Sequence, residues 1–321
     1  MAVPNRLVLA PLAGIGTWFV RLQAKRHGAG LAVSEMVSSF AIHHRNPRTL
    51  AELLRVHPSE RRTGPVALQL FGQDPEVMRS AAAYVAEHAA VDVIDLNMGC
   101  PVPKVCKTGA GAALLDNPDV AVAVARAAVQ GSGLPVTVKL RSGVRPGDTG
   151  GFELARRLVE DAGVAAIGFH PRSAAVHHKG TPDLALAAHL VESLPAPVVL
   201  SGGLRSAEAV RAAHEATGAA AFMLARGALG NPWLFAELLG DRAAPPATDE
   251  ILDELDWLVE RCVEHLGPER AGRWLRKAYP WYLERVGSSK ATQEALQRAP
   301  SLDEARALLD ALRAPARAQA A

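Results

Sequence analysis

Short apolar runs rich in β-branched residues recur along the first part of the chain. They read RLVLAPLA (6–13), LAVSEMV (31–37), PVALQLFG (65–72), VDVIDLNMGC (91–100), PVTVKLRSG (135–143), AAIGFHPR (165–172), PVVLSGGL (197–204) and AAFMLARGAL (220–229). Several are apolar at nearly every position, as strands are when both faces are buried. Ala-rich helical stretches separate them. Three of these open on a capping acceptor followed by proline: Asp74-Pro75, Asn117-Pro118 and Asn231-Pro232. Strand–helix alternation predicts a parallel sheet. Eight such units predict an α/β fold closed as a (β/α)8 TIM barrel rather than an open, doubly wound sheet. The open fold would carry G-x-G-x-x-G after its first strand, and LAPLAGIG does not fit that spacing.

After Gly240 the pattern changes. RAAPPATDE (242–250) reads as a linker, with Thr248 or Asp249 as a helix cap, and from Ile251 to Arg313 only helical spacing remains. The chain therefore divides into a barrel over 1–240 and a small helical domain over 241–321, with APARAQAA as a frayed tail.

Composition narrows the classes. The 321 residues suffice for one barrel and a modest second domain. Lys+Arg number 35 against 33 Asp+Glu, so no global basic field exists and any nucleic-acid contact must come from a local patch. Three cysteines, Cys100, Cys106 and Cys262, make no disulfide framework and fit a reducing compartment. Neither a signal peptide nor an apolar stretch long enough to span a bilayer is visible, so a cytoplasmic location is expected. No protein partner is implied.

In such a barrel the reactive groups sit at the C-terminal ends of strands. Cys100 follows the fourth strand between Gly99 and Pro101, where a thiol can donate a proton or attack as thiolate. Cys106 and Cys262 read as inert. Lys139, embedded in TVKLRSG, needs an anionic partner; it suits a cation over an electron-rich ring or a Schiff-base lysine. Gln69 interrupts ALQLFG and needs hydrogen-bond partners of the kind a ring edge supplies. His170 and Arg172 together end the sixth strand. Ser201-Gly202-Gly203 and Ala225-Arg226-Gly227 end the seventh and eighth, the usual place for a phosphate in this fold. The pairs His43-His44 and His177-His178 lack any metal-ligand spacing and read as surface residues, so no metal is expected.

With these residues in place the pattern resembles the tRNA-dihydrouridine synthase family, in particular its bacterial B-type branch. LAPLAG, SEMVSS, VALQLFG-x-DPE, IDLNMGCPVPKV-x-K-x-GAGAALL, VTVKLRSG, ARGALGNPWLF and RKAYPWYL are similar to family segments in the same order. The resemblance implies FMN as cofactor, NADPH as reductant and reduction of the uracil C5–C6 bond in tRNA. It implies Cys100 as proton donor to C5. Pro11, Leu12, Ala13, Gln69, Lys139 and His170 would line the flavin ring. Ser201, Gly202, Gly203, Ala225, Arg226 and Gly227 would hold its phosphate, while Asn97 and Arg172 would approach the uracil. The chain departs from the family at Leu12, Pro171, Ala174, Ser201, Ala225 and Ala278.

Residues 270–290 hold six basic residues and one acidic one. Arg273 and Lys277 share a helical stripe with Arg270, and Tyr279, Trp281 and Tyr282 lie close by in sequence. This is a candidate tRNA face, set against the plainer reading of a solvated surface over core aromatics. The alternative functions are an FMN reductase of a small free pyrimidine or enone, an aldolase using Lys139, and an RNA-binding protein with an inactive barrel.

Overall fold

The computed structural model describes residues 3–319. Two compact units divide the chain between Arg226 and Gly227. In the first, eight strands form the barrel: β1 (Leu7–Leu9), β2 (Leu31–Val33), β3 (Val66–Phe71), β4 (Val93–Met98), β5 (Val136–Arg141), β6 (Ala166–His170), β7 (Val198–Ser201) and β8 (Ala221–Leu224). Each pairs in parallel with the next, and β1 pairs with β8 through Leu7↔Phe222, so the ring is closed. A two-residue strand, Val37–Ser38, pairs in parallel with the end of β3 at Leu70 and Phe71, beyond the stretch that β2 pairs with.

Strand side chains alternate between faces. One parity, which includes Leu7, Leu9, Leu68, Leu70, Ile94, Leu96, Val138, Leu140, Ile167 and Phe169, is buried. The other parity faces inward. There Val8, Ala10, Val33, Ala67, Val93 and Met223 form an apolar cluster. Further along the strands the same parity turns polar, at Gln69, Asp95, Asn97, Lys139, Arg141 and His170. Apolar character on both faces thus marks the barrel strands, and polar residues on the inner face mark its mouth.

Of the three expected caps one forms. Asp74 Oδ1 accepts from the backbone N–H groups of Glu76 and Val77, at 2.9 and 3.0 Å. Asn117 instead donates its amide back to Ala113 O, because a 3-10 turn over Gly111–Asp116 runs directly into the helix Pro118–Ser132. The helix Trp233–Leu239 starts on Pro232, leaving Asn231 outside it.

The second unit is helical throughout, and the helix Trp233–Leu239 belongs to it, ahead of the change in sequence pattern after Gly240. The reason is close packing: Gly230, at φ +62°, lies so near Trp281 that a Cβ would stand 2.5 Å from its carbonyl oxygen. Helices Thr248–Leu266, Pro268–Leu275, Tyr279–Val286, Lys290–Arg298 and Leu302–Gln319 follow. Neither Thr248 nor Asp249 caps the first of these: Ala247 holds the cap position and Glu250 accepts its N–H at 3.2 Å. Arg313 donates to Asp253 and Asp256, at 2.7 and 2.6 Å, tying the last helix to the first. Helix continues through the expected tail to Gln319, and residues 320–321 lie outside the described residues. No helix among the described residues is long and apolar enough to cross a membrane.

Candidate active site

Sheet register assembles the site. Gln69 pairs with Asp95 and Asp95 with Thr137, so three inward polar side chains stand abreast on β3, β4 and β5. One step nearer the mouth Asn97 pairs with Lys139, and Lys139 with Gly168. The next step pairs Arg141 with His170. Gly168 leaves room for the lysine: a Cβ there would lie 3.3 Å from Lys139 Cγ. Asn97, Cys100 and Lys139 are partly exposed although their strands or strand ends face inward. The mouth is therefore open to solvent at these groups.

Burial and Arg141 draw the Lys139 ammonium pKa down to about 8, with Asp95 opposing. Burial raises the Asp95 carboxyl to about 6 against hydrogen bonds from Thr137 and Gln69. Gln69 Nε2 donates to Asp95 Oδ2 at 2.6 Å, and its Oε1 accepts from Asn97 Nδ2 at 2.9 Å. The buried amide of Gln69 thus finds partners within the protein, as its position in an apolar strand requires.

Cys100 is held at both ends of its peptide unit. Its N–H donates to Asn97 Oδ1 at 2.9 Å. Its carbonyl oxygen accepts from the Ala112 N–H at 3.0 Å and from the Cys106 thiol at 3.3 Å. Cys106, read as inert, thus helps to fix the carbonyl of Cys100. Burial raises the Cys100 pKa above its ordinary value, and this outweighs the opposing effect of Arg141 and Lys139. The group is a thiol at neutral pH, suited to proton donation rather than attack as thiolate.

At the ends of β6 and β7 the structure builds a cationic cradle. Arg172 Nη1 lies 3.1 Å from His170 Nε2. A guanidinium only donates, so Nε2 accepts and the neutral ring carries its proton on Nδ1. Burial and neighbouring cations push the His170 pKa far down. Gly202, at φ +102°, packs against this pair; a Cβ would stand 2.3 Å from the His170 ring. Arg172 Nε and Ser173 Oγ are buried without a hydrogen-bond partner. After burial, only Arg226 and Arg205 bear on the Arg172 guanidinium, and both disfavour its charge. Arg172 and Arg226, each with its charge disfavoured by Arg205, fit an anionic group such as a phosphate, as do the positive-φ Gly202 and Gly203 and the orphaned donors beside them.

The sequence pattern of the dihydrouridine synthase (Dus) family matches residues 8–319. The chain belongs to this family. It is 33% identical over 309 residues to a tRNA-dihydrouridine synthase B from Xanthomonas axonopodis pv. citri, covering 94% of this chain and 91% of that one. It is 36% identical over 324 residues to a probable tRNA-dihydrouridine synthase from Mycobacterium tuberculosis, covering 95% and 82%. Membership makes it an oxidoreductase. Among solved structures, morphinone reductase in complex with tetrahydroNAD aligns with TM-score 0.54 at 17% identity, over 78% of this chain and 91% of that one. The old yellow enzyme homologue from Zymomonas mobilis aligns with TM-score 0.55 at 15% identity, over 76% and 91%. At these identities they show the shared barrel.

Within this dihydrouridine synthase fold the remaining expected residues fall as follows. Pro11, Leu12 and Ala13 follow β1 and are half-buried to exposed. Ser201 ends β7 and donates to Phe169 O at 3.3 Å. Ala225 and Arg226 follow β8, and Gly227 opens the helical unit. Arg172, expected near the uracil, is buried against His170 and Gly202 in the cradle. In the helical unit Arg273 and Lys277 are exposed, but they share no helical stripe: the helix carrying Arg270 and Arg273 ends at Leu275, and Lys277 stands in the turn before the helix Tyr279–Val286. Trp274, Tyr279 and Tyr282 are buried, so these aromatics are core residues. His43 and His44 are exposed, and Cys262 is buried with its thiol pushed up to about 12.

His178 is exposed, as expected of a surface residue, yet it also touches the site. Its ring stacks on His170, centroids 6.0 Å apart and planes 20° from parallel. Its loop is drawn over the mouth by Arg141, which donates to Ser173 O at 3.1 Å and His177 O at 2.8 Å, and by Arg172, which donates to Gly180 O. His177 takes the left-handed backbone, at φ +53°. The sequence also passed over Asp95, Thr137 and Arg141. The two-residue period that places Gln69 and Lys139 inward would have found all three.

Proposed function

We propose that this chain reduces uridine in tRNA to 5,6-dihydrouridine, with FMN as its resident cofactor and NADPH as reductant. The observation that carries the reading is the Cys100 side chain, fixed at the barrel mouth together with Lys139, on the same open end as the cationic cradle. When bound, FMN supplies the hydride that adds to C6 of the uracil. Arg172, Arg226 and the backbone at Ser201, Gly202 and Gly203 would hold its phosphate, joined by Ala225 and Gly227. His170, Lys139, Gln69 and the Pro11–Ala13 segment would border its ring.

The protein's own part is orientation and proton handling. Addition at C6 leaves carbanion character at C5, and Cys100 delivers a proton there from the opposite face. Asn97 holds the Cys100 backbone in place. Lys139, a cation among apolar strands, would stabilise negative charge on a bound flavin. A base inside an RNA stack cannot reach the mouth, so the target uridine must be flipped out. The exposed Arg273, Arg276 and Lys277 of the helical unit would supply phosphate contacts for such a substrate, and work on tRNA implies a cytoplasmic enzyme.

Separating the half-reactions tests this. Purified protein should carry non-covalent FMN. Cys100→Ala should retain it and still be reduced by NADPH, yet form no dihydrouridine. Normal product formation by that variant would remove Cys100 from the mechanism. Reduction of free uracil but not tRNA would favour the small-pyrimidine alternative.

A further inference from the structure

Asp95 is a fully buried carboxyl on the inner face of β4, and nothing in the scheme above uses it. Its two oxygens accept from different partners: Oδ1 from Thr137 Oγ1 at 2.5 Å and Oδ2 from Gln69 Nε2 at 2.6 Å. The Gln69 donor end is thereby committed, which turns its Oε1 toward Asn97 Nδ2, 2.9 Å away. That contact in turn commits Asn97, which leaves Oδ1 to accept the Cys100 N–H at 2.9 Å. An amide can be reversed end for end without changing its shape, so neither Gln69 nor Asn97 sets its own direction. An ionised carboxylate accepts and cannot donate, so it does set a direction.

We propose that Asp95 is a positioning residue that fixes the Gln69 and Asn97 amides in series and so determines how Cys100 is presented at the mouth. The inference rests on the reading of Cys100 as the proton donor. Consider Asp95→Asn, which keeps the shape. With Thr137 donating to the new carbonyl oxygen as it does to Asp95, the new amide NH2 faces Gln69. Gln69 must then reverse, and Asn97 after it. Asn97 Nδ2 would meet the Cys100 N–H, donor against donor, and the loop carrying the thiol must shift.

The polarity can be restored by exchange. In Gln69→Glu/Asp95→Asn the carboxylate moves one link along the chain. The residue at 95 then accepts from Thr137 and donates to the residue at 69, which accepts from Asn97 as before. Net charge and the number of hydrogen bonds are unchanged.

The test is the rate at which iodoacetamide alkylates Cys100 in the holoenzyme, read by peptide mass spectrometry, with turnover on tRNA measured in parallel. Asp95→Asn should change the alkylation rate by about tenfold and lower kcat by about tenfold or more, consistent with a sub-ångström displacement of a reacting group. The exchange variant should bring alkylation back to within about threefold of wild type; its turnover is a separate matter, since Gln69 borders the flavin. Thr137→Val removes a donor to Asp95 but leaves the relay intact, and should alkylate as wild type does. Wild-type alkylation in Asp95→Asn, no recovery in a folded exchange variant, or an equal change in Thr137→Val would each overturn the relay. If the alkylation pattern holds while wild-type enzyme makes no dihydrouridine, the relay stands and the proposed reaction fails.

Discussion

Gly111 and Gly133 form a matched pair for testing whether the placement of Cys100 governs turnover. Both adopt the left-handed backbone, at φ +63° and +65°. Alanine in that region costs about 1–2 kcal/mol wherever it occurs. Their surroundings differ. A Cβ at Gly133 meets nothing within 4 Å, whereas one at Gly111 would stand 2.8 Å from Cys100 O, 2.9 Å from Val105 Cγ1 and 3.4 Å from Cys100 Cβ. Comfortable contact with a carbonyl oxygen lies near 3.3–3.6 Å, so Gly111→Ala must push the Cys100 backbone by about half an ångström. A misplacement of one ångström can cost about a hundredfold in rate, so about tenfold is expected here. Thermal unfolding should place both variants about 2–8 °C below wild type, with Gly111→Ala the lower. Single-turnover dihydrouridine formation by reduced enzyme should slow about tenfold in Gly111→Ala and stay unchanged in Gly133→Ala. Equal rates in two folded variants would show that Cys100 is not held where the chemistry needs it, or that it does not donate the proton.

Three further outcomes follow from the same geometry. Arg226→Ala removes one arm of the cradle and should weaken FMN retention about ten- to a hundredfold with the fold intact, measured as flavin released on denaturation of purified protein; unchanged flavin content would refute the phosphate assignment. Arg273→Ala/Lys277→Ala should weaken tRNA binding and flatten the slope of log K against log salt by about one to two units, while flavin reduction by NADPH is untouched; an unchanged slope makes these residues a solvated surface. Asp95 is raised from its ordinary 3.8 to about 6, so between these values the folded chain binds more protons than the unfolded one. Its contribution to stability therefore falls as pH rises through that window, by on the order of 3 kcal/mol, and chemical denaturation across pH 4–6 should show a correspondingly flatter profile in Asp95→Asn.

The barrel was legible because its strands are apolar on both faces and its helices lie between them in sequence. Gln69 and Lys139 were legible because a polar side chain inside an apolar run must have a reason. Asp95 stands between apolar neighbours in VDVIDLNMGC as Gln69 does in its strand, but it lies deeper than the strand end, where a barrel's reactive groups are expected. His178 could not be found locally. Its place depends on Arg141, 36 residues earlier, gripping His177 O, and on the left-handed backbone of His177. Asn117 fails as a cap because the chain reaches its helix through a 3-10 turn, and propensity at one residue does not record that path. The aromatic residues near Lys277 are interleaved with basic ones in sequence, but the helix Tyr279–Val286 turns Tyr279 and Tyr282 into the core, and a break after Leu275 leaves Lys277 in an exposed turn, off the helix that carries Arg273.

The central claim is that a flavin in this barrel and the Cys100 thiol together reduce uridine within tRNA. The direct measurement is to incubate purified holoenzyme with NADPH and unmodified tRNA transcript and to map the digested RNA by mass spectrometry. One or a few uridines should gain the mass of two hydrogens in step with NADPH consumed, with no gain for Cys100→Ala. Flavin-loaded enzyme that oxidises NADPH yet leaves every uridine unchanged would contradict it.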